Sequence, residues 1–137
     1  MDETRTLFEQ GAVRIIARIT EDDQEPDGDF DADYFERYQA CEFEMVGIIV
    51  HVELNGATIG EASLWGVEHG AVAEDVTADA WEFVPAVTEG NTVTMGSPLA
   101  SVVDEALSNA SAWLISTTAQ QTIRDLGAAS AWSDHVH

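Results

Sequence analysis

The stretch Phe43–Leu54, FEMVGIIVHVEL, is the strongest strand signal in the chain. Apolar residues recur at every second position from Val46 to Leu54 and so share one face of the strand. The middle of the opposite face is apolar as well. A period of two is typical of a β-strand, and apolar residues on both faces indicate a central strand. We therefore expect residues 43–54 to lie in the middle of a sheet that helices cover on one face.

A hairpin is predicted directly after this strand. Asn55-Gly56 is a strong turn signal, because both residues tolerate the positive φ angles of a type I′ turn. The residues that follow are expected to return as a strand over 57–65. A turn of two residues would place Val52 opposite Ile59 across the hairpin.

A long helix is predicted toward the C-terminus. Ser97-Pro98 combines a helix-capping residue with proline at the first helical position, and apolar residues recur at helical spacing after it. We expect a helix over about 98–116. Beyond that point there is either a break near residues 116–118 or a continuation to 126 whose protruding end packs on a partner. Residues 128–137 are expected to form a flexible tail.

Together these elements predict a single α+β domain over residues 1–137. Its antiparallel sheet would have three to four strands, packed against the long helix. Besides the central hairpin, alternation predicts a strand over about 12–20, and a β-prone run predicts a short strand over 91–95.

Two further helices are predicted from local signals. One would span residues 4–10, with Thr4 as its cap and Gly11 as its stop. The other would span residues 73–84 and end before Pro85.

The charge of the chain is its most unusual property. It carries 26 Asp and Glu against five Lys and Arg, a formal net charge of −21. Direct nucleic-acid binding needs a cationic surface, and anionic membranes repel so acidic a chain. Three causes of the acidity fit: binding of a basic partner, imitation of a polyanion, or adaptation to a high-salt cytoplasm.

Much of this charge lies between the first two predicted strands. Residues 21–40 are expected to form an acidic loop followed by a short helix, with Tyr34, Phe35 and Tyr38 anchoring its far end. We predict that this segment is an anionic surface that contacts a host or phage protein with a basic surface. The predicted contact residues are Asp22, Asp23, Glu25, Asp27, Asp29, Asp31, Asp33 and Glu36.

The same segment partly resembles a calcium-binding loop. Asp23, Glu25 and Asp27, followed by Gly28, match its early positions, but Tyr34 stands where a bidentate glutamate is needed. These three acids are therefore at most weak cation ligands.

No catalytic residue and no cofactor is assigned. Nearby carboxylates repel a thiolate, which is the reactive form of cysteine, so Cys41 is expected to be structural. His51 lies on a strand and is expected to bond to a neighbour.

Two short motifs carry a family resemblance. Val46-Gly47-Ile48, a hairpin, and then Leu64-Trp65-Gly66-Val67-Glu68 resemble small acidic proteins encoded by bacteriophages and prophages, many of them in actinobacteria. The resemblance covers residues 11–68. It implies an origin in a mobile genetic element and transfers no catalytic residue, because the family has no settled activity.

The leading expectation is a non-enzymatic acidic binding protein in the cytoplasm, since the chain has no signal-peptide pattern and no long apolar run. One version is a nucleic-acid mimic that inhibits a host nucleic-acid-binding or defence protein. Two alternatives stay open. One is an enzyme that uses carboxylates with a divalent metal, and the other is an assembly protein that forms a homodimer through its C-terminal helix.

Overall fold

The computed structural model describes residues 1–23 and 32–136, with side chains in the last helix described to Thr118 and at Gln121. It confirms the α+β fold class: an antiparallel sheet is packed against a C-terminal helix. The elements in these ranges are β1 (Asp2–Gln10), β2 (Val13–Glu21), α1 (Ala32–Gln39), β3 (Phe43–Leu54), β4 (Ala57–Ala73), β5 (Val76–Ala78), β6 (Val87–Glu89), β7 (Thr92–Thr94) and α2 (Pro98–Val136).

The described strands form two sheets. The main sheet has the order β1-β2-β3-β4-β5, so each strand lies beside its neighbour in the chain, and all pairs are antiparallel. β3 is central, as predicted. The strand predicted over 91–95 exists as β7, but it pairs with β6 in a separate two-stranded sheet.

The core lies between α2 and one face of the main sheet, which we call the inner face. Alternate residues of β2, β3 and β4 point into it, and the side chains of Ile48 and Val50 are fully buried. The buried residues of the inner face are Ile15, Ala17, Ile19, Val46, Ile48, Val50, Val52, Ile59, Ala62 and Val67. The buried residues of α2 are Leu99, Ala100, Val102, Val103, Ala106 and Ala110.

The start of α2 is fixed as the sequence predicts. The Ser97 hydroxyl accepts hydrogen bonds from the backbone N–H of Ala100 (3.4 Å) and of Val84 (2.9 Å). The first contact caps the helix, and the second ties the incoming loop to it. α2 then runs for 39 residues, roughly 58 Å at 1.5 Å per residue. It is not broken at residues 116–118.

The backbone is helical over 128–136 as well. The flexible tail expected over 128–137 stays a prediction.

The helix predicted over residues 4–10 is wrong, because these residues belong to β1. The strand lies at the edge of the sheet with all its residues exposed, so it lacks the apolar alternation that marks a strand. A bulge between Thr6 and Phe8 disturbs the spacing further. Gly11, with φ 60, turns the chain into β2 rather than ending a helix.

Contacts on both faces hold β1 in place. On the outer face, Arg18 donates two hydrogen bonds of 2.9 Å to Asp2, and these lower the pKa of that carboxyl group. On the inner face, the Arg5 guanidinium lies 4.2 Å from the centre of the Trp81 ring, whose Nε1 donates to Glu3 at 3.1 Å. Trp81 therefore covers the edge of the core.

The helix predicted over 73–84 is also wrong. β4 continues to Ala73, Asp75 turns the chain with φ 63, and β5 follows. The expected inward face is not formed, because Phe83 is 50% exposed. Ala80 is buried, but its backbone N–H donates to Nδ1 of His69 at 3.0 Å instead of to a helical carbonyl.

The central hairpin has the predicted turn and a different register. Asn55 and Gly56 have φ angles of 53 and 81, as a type I′ turn requires. Val52, however, pairs with Gly60 rather than with Ile59, because the register shifts next to Glu53. The prediction was wrong here because a bulge adds a residue to one strand, which alternation alone does not reveal.

Candidate functional site

An open cleft of about 760 Å³ lies where the ends of β2 and β3 meet the C-terminal end of α1. Tyr38 and Met45 contribute apolar surface to it, whereas Phe43, which also lines it, is almost fully buried. Among the described residues that line it, none is Arg or Lys. Its acidic lining residues are Glu21, Asp22, Asp23, Glu42 and Glu44.

The β2–β3 pairing explains why these acids converge. The two strands stay in register to the pair Glu21–Val46, and the Asp22 N–H still donates to the Met45 carbonyl at 3.0 Å. The chain therefore leaves the sheet beside the point where β3 enters it. The acids that precede residue 24 and those that follow residue 41 are thereby brought to one end of the sheet.

The end of α1 positions the other side of the cleft. The N–H of Glu42 donates to the Arg37 carbonyl (2.9 Å), and that of Cys41 donates to Tyr38 (3.1 Å). This is a Schellman motif, in which Cys41, with φ 60, occupies the left-handed position that glycine usually fills. The backbone of Cys41 thus helps to end the helix. Its side chain is exposed and lines the cleft.

Aromatic contacts hold α1 on the outer face of the sheet, opposite α2. The rings of Tyr34 and Tyr38 lie 4.7 Å and 5.7 Å from the ring of Phe43, which is only 3% exposed. Burial, together with a hydrogen bond to Glu68, raises the pKa of Tyr34. Tyr34 and Tyr38 therefore anchor α1 as predicted, and the anchoring role of Phe35 stays a prediction.

The predicted contact residues fall into three groups. Asp22 and Asp23 line the cleft. Asp33 and Glu36 are exposed on α1, where Asp33 lies 3.0 Å from Nε of Arg37. The rest lie outside the described residues: Glu25, Asp27, Asp29 and Asp31.

Three acids of the cleft were absent from the predicted set: Glu21, Glu42 and Glu44. Each lies at a strand end or one residue from it. The signal that could have revealed them was the pairing of the strands predicted over 12–20 and 43–54. Two cations reach the rim: Nη1 of Arg37 lies 3.4 Å from Glu42, and the Met1 amino group lies 2.7 Å from Glu21. The cleft remains predominantly anionic.

Asp22 also has a structural contact. Its Oδ2 accepts a hydrogen bond of 2.8 Å from the backbone N–H of Gly66, a residue with φ 72 in the irregular part of β4. The carboxylate thus links the end of β2 to β4, with β3 between them.

We expect Asp22→Ala to lower the free energy of unfolding by about 1–2 kcal/mol, because a charged acceptor is removed from a backbone donor. Asp23→Ala is the matched control. It removes the same charge from the adjacent, exposed residue and should change stability by less than about 0.5 kcal/mol. Urea denaturation followed by tryptophan fluorescence measures both, and equal losses would contradict the role assigned to Asp22.

Among the side chains that the structure describes, which are those of residues 1–23, 32–118 and 121, no group of three or more His, Cys, Asp and Glu is arranged to hold a metal ion. Of the weak cation ligands considered, only Asp23 is described. The histidines on the sheet have local partners: Nε2 of His51 lies 3.4 Å from Glu61, and His69 accepts from the Ala80 N–H.

The chain matches no protein-family model, no curated protein and no solved structure. Its function must therefore be inferred from the geometry and charge of its own residues. In the part of the chain that the structure describes, no helix combines the length and apolar character needed to cross a bilayer.

Proposed function

We propose that the protein is a non-enzymatic acidic binding protein whose anionic cleft receives a basic segment of another protein. The observation that carries this proposal is the convergence of five carboxylates around one open cleft with apolar surface inside it. Bacteriophage or prophage origin is part of the proposal and rests on the motifs at residues 46–48 and 64–68.

The cleft has the chemistry to hold arginine side chains. A guanidinium group pairs with carboxylates through two parallel hydrogen bonds and also stacks on aromatic rings. The cleft offers both kinds of group, since five carboxylates and Tyr38 are among its lining residues. A lysine would gain the charge interaction and less of the stacking.

The net charge of −21 adds a long-range electrostatic attraction for basic partners. A partner with a cationic channel would be steered toward this chain, and its association would be fast at low salt. In the mimic version, the carboxylates take the places of the phosphates in a host protein that otherwise binds nucleic acid. The host protein would be inhibited because its nucleic-acid site is occupied.

Binding of a fluorescein-labelled octa-arginine peptide tests the cleft, with fluorescence anisotropy as the readout. We expect the double variant Asp23→Asn with Glu44→Gln to raise the dissociation constant by about tenfold, because two cleft carboxylates are lost. The matched control is Glu89→Gln with Asp104→Asn, which removes the same charge from exposed positions away from the cleft. The control should raise it by less than about twofold.

Equal weakening in the two double variants would show that the peptide senses only net charge, and it would refute the cleft. Salt is the second readout. Affinity should fall steeply as salt rises, whereas binding that ignores ionic strength would contradict the electrostatic basis of the proposal.

The alternative of a metal-dependent enzyme needs carboxylates that converge with open coordination positions. The described residues give it no support. The assembly alternative concerns α2, a different surface.

A further inference from the structure

Among the described residues that line the anionic cleft, His69 of β4 is the one histidine. It lies opposite Glu44 in the pairing of β3 with β4, and its side chain is 28% exposed. Histidine ordinarily changes its charge between about pH 5 and 8, whereas aspartate and glutamate do so near about pH 4. The charge of the cleft around neutral pH therefore depends on the protonation of His69.

One ring nitrogen of His69 is a hydrogen-bond acceptor. Its Nδ1 lies 3.0 Å from the backbone nitrogen of Ala80, which donates to it. A backbone N–H can only donate, so Nδ1 turns a lone pair toward it and the ring proton lies on Nε2. The imidazole is therefore neutral in this arrangement.

The same contact ties β4 to the segment that follows β5, residues 79–82. Ala80 is 2% exposed and belongs to the core, and the next residue is Trp81, which covers the edge of the core. A second proton on the ring of His69 would replace the lone pair of Nδ1 by an N–H. Two donors would then face each other, and the buried N–H of Ala80 would lose its acceptor. Protonation of His69 therefore breaks this contact.

A carboxylate stands beside the ring to receive the new donor. Oδ1 of Asp79 lies 3.8 Å from Nδ1 of His69. The same oxygen accepts a hydrogen bond of 2.9 Å from the N–H of Trp81, which fixes its position. The protonated ring can thus exchange a backbone donor for a carboxylate acceptor through a small movement.

Charged groups of three elements face His69. Glu44 lies opposite it on β3, and Asp79 lies beside it in the segment after β5. On β1, the pKa of Glu3 is lowered chiefly by its hydrogen bond with Arg5, and in smaller part by the charge of His69. These three carboxylates attract a protonated imidazole, whereas the backbone N–H binds only the neutral ring. Gain of a proton therefore replaces one set of partners by the other.

The neighbouring cations keep their charge over the same range of pH. The Met1 amino group lies 2.7 Å from Glu21 and 3.9 Å from Glu44, and its pKa is raised, mainly by the hydrogen bond to Glu21. It therefore stays protonated as the solution is acidified from neutral pH. Arg37 at the rim is protonated throughout. Of the described cationic groups at the cleft, only His69 gains charge on mild acidification.

We propose that His69 is an acid-triggered release switch for the cleft. This inference rests on the proposed function, the binding of a basic segment. At neutral pH the ring is held by the N–H of Ala80, and the carboxylates of the cleft are available to the partner. As the pH falls, His69 becomes a cation at the cleft and competes with the arginines of the partner for those carboxylates.

Octa-arginine binding tests the switch at about pH 7.5 and about pH 5.5, near the two ends of the range over which histidine ordinarily titrates. Acidification should raise the dissociation constant of the unmodified protein by about fivefold, because a positive charge is added near the peptide. His69→Gln should limit the rise to less than about twofold, since its amide oxygen still accepts from Ala80 but does not titrate.

His51→Gln is the matched control. It removes the same titratable group from the outer face of the sheet, where His51 lies beside Glu61 and outside the cleft lining. This variant should keep the fivefold rise, because a charge gained there is screened from the peptide. Equal rises in the unmodified protein and in His69→Gln would overturn the switch. An equal reduction of the rise in both variants would also overturn it, since the peptide would then sense only total charge.

Nuclear magnetic resonance of the free protein gives a readout that needs no peptide. At the higher pH, the ring nitrogens of His69 should show the proton on Nε2. On acidification, the amide resonance of Ala80 should move together with the titration of that ring. A proton on Nδ1 at the higher pH would overturn the proposal, and so would an Ala80 amide that does not respond.

The failures of the two proposals are distinguishable. Absence of octa-arginine binding at the higher pH would refute the proposed function, and the resonance titration would still decide whether His69 exchanges its partners. Binding that is equally tight at both pH values would overturn the switch and leave the cleft as a binding site.

Discussion

Replacing Gly60 by alanine should lower the free energy of unfolding by about 3 kcal/mol, because the added methyl group has no room under α2. A Cβ at this position would lie 2.7 Å from both the backbone nitrogen and the Cβ of Ala110, and closer still to the Ala106 carbonyl oxygen. Two of these atoms belong to the helix backbone. Relief therefore requires the helix to move away from the sheet, which would loosen the inner-face core.

Gly56→Ala is the matched control for this result. Gly56 lies in the same hairpin with φ 81, and a Cβ there would meet no atom within 4 Å. Its substitution measures backbone strain alone, about 1 kcal/mol. Urea denaturation followed by circular dichroism compares the two variants. If Gly60→Ala cost no more than Gly56→Ala, the close contact of β4 with α2 would be refuted.

The second large effect is expected at Leu99, whose side chain is fully buried in the first turn of α2. Leu99→Ala should cost about 3 kcal/mol, because it removes apolar contact and leaves a cavity between helix and sheet. Leu114→Ala makes the same chemical change in the same helix at a side chain that is 41% exposed. It should cost less than about 1 kcal/mol in the isolated chain.

Thermal denaturation measures the stability of both leucine variants. Similar losses of stability in the two variants would mean that residues near 114 pack on the domain, contrary to their exposure.

The elements that alternation and capping define were predictable. The buried side chains of β3 recur at every second position, Asn55-Gly56 marks the hairpin, and Ser97-Pro98 marks the start of α2. These signals are local consequences of backbone geometry, so they stand in the sequence whatever surrounds them.

The elements without a buried face were not predictable in this way. β1 exposes all its residues, so nothing in its pattern distinguishes it from a polar helix. The length of β4 was underestimated for a different reason. Gly66 and Gly70, with φ 72 and 123, suggest ends of a strand, whereas here they permit irregular backbone inside one long strand.

Part of the candidate site could be predicted from the sequence, namely its position and two of its acids. Acidity between two strands pointed to this end of the sheet, and Asp22 and Asp23 do line the cleft. The contributions of Glu21 and Glu44 depend on the register of β2 against β3. The link from Asp22 to the Gly66 N–H depends on an irregularity in β4. Contacts that rely on such three-dimensional detail leave no periodic trace in the chain.

The order of strands in the main sheet also bears on how fast the protein folds. Each strand pairs with its neighbour along the chain, so the sheet is built from short-range contacts that close quickly. The contact of Ala106 with Gly60 joins residues far apart in sequence and is therefore expected to form late. Interactions absent from the transition state act on the unfolding rate. The stability lost in Gly60→Ala should accordingly appear as faster unfolding, with the folding rate nearly unchanged.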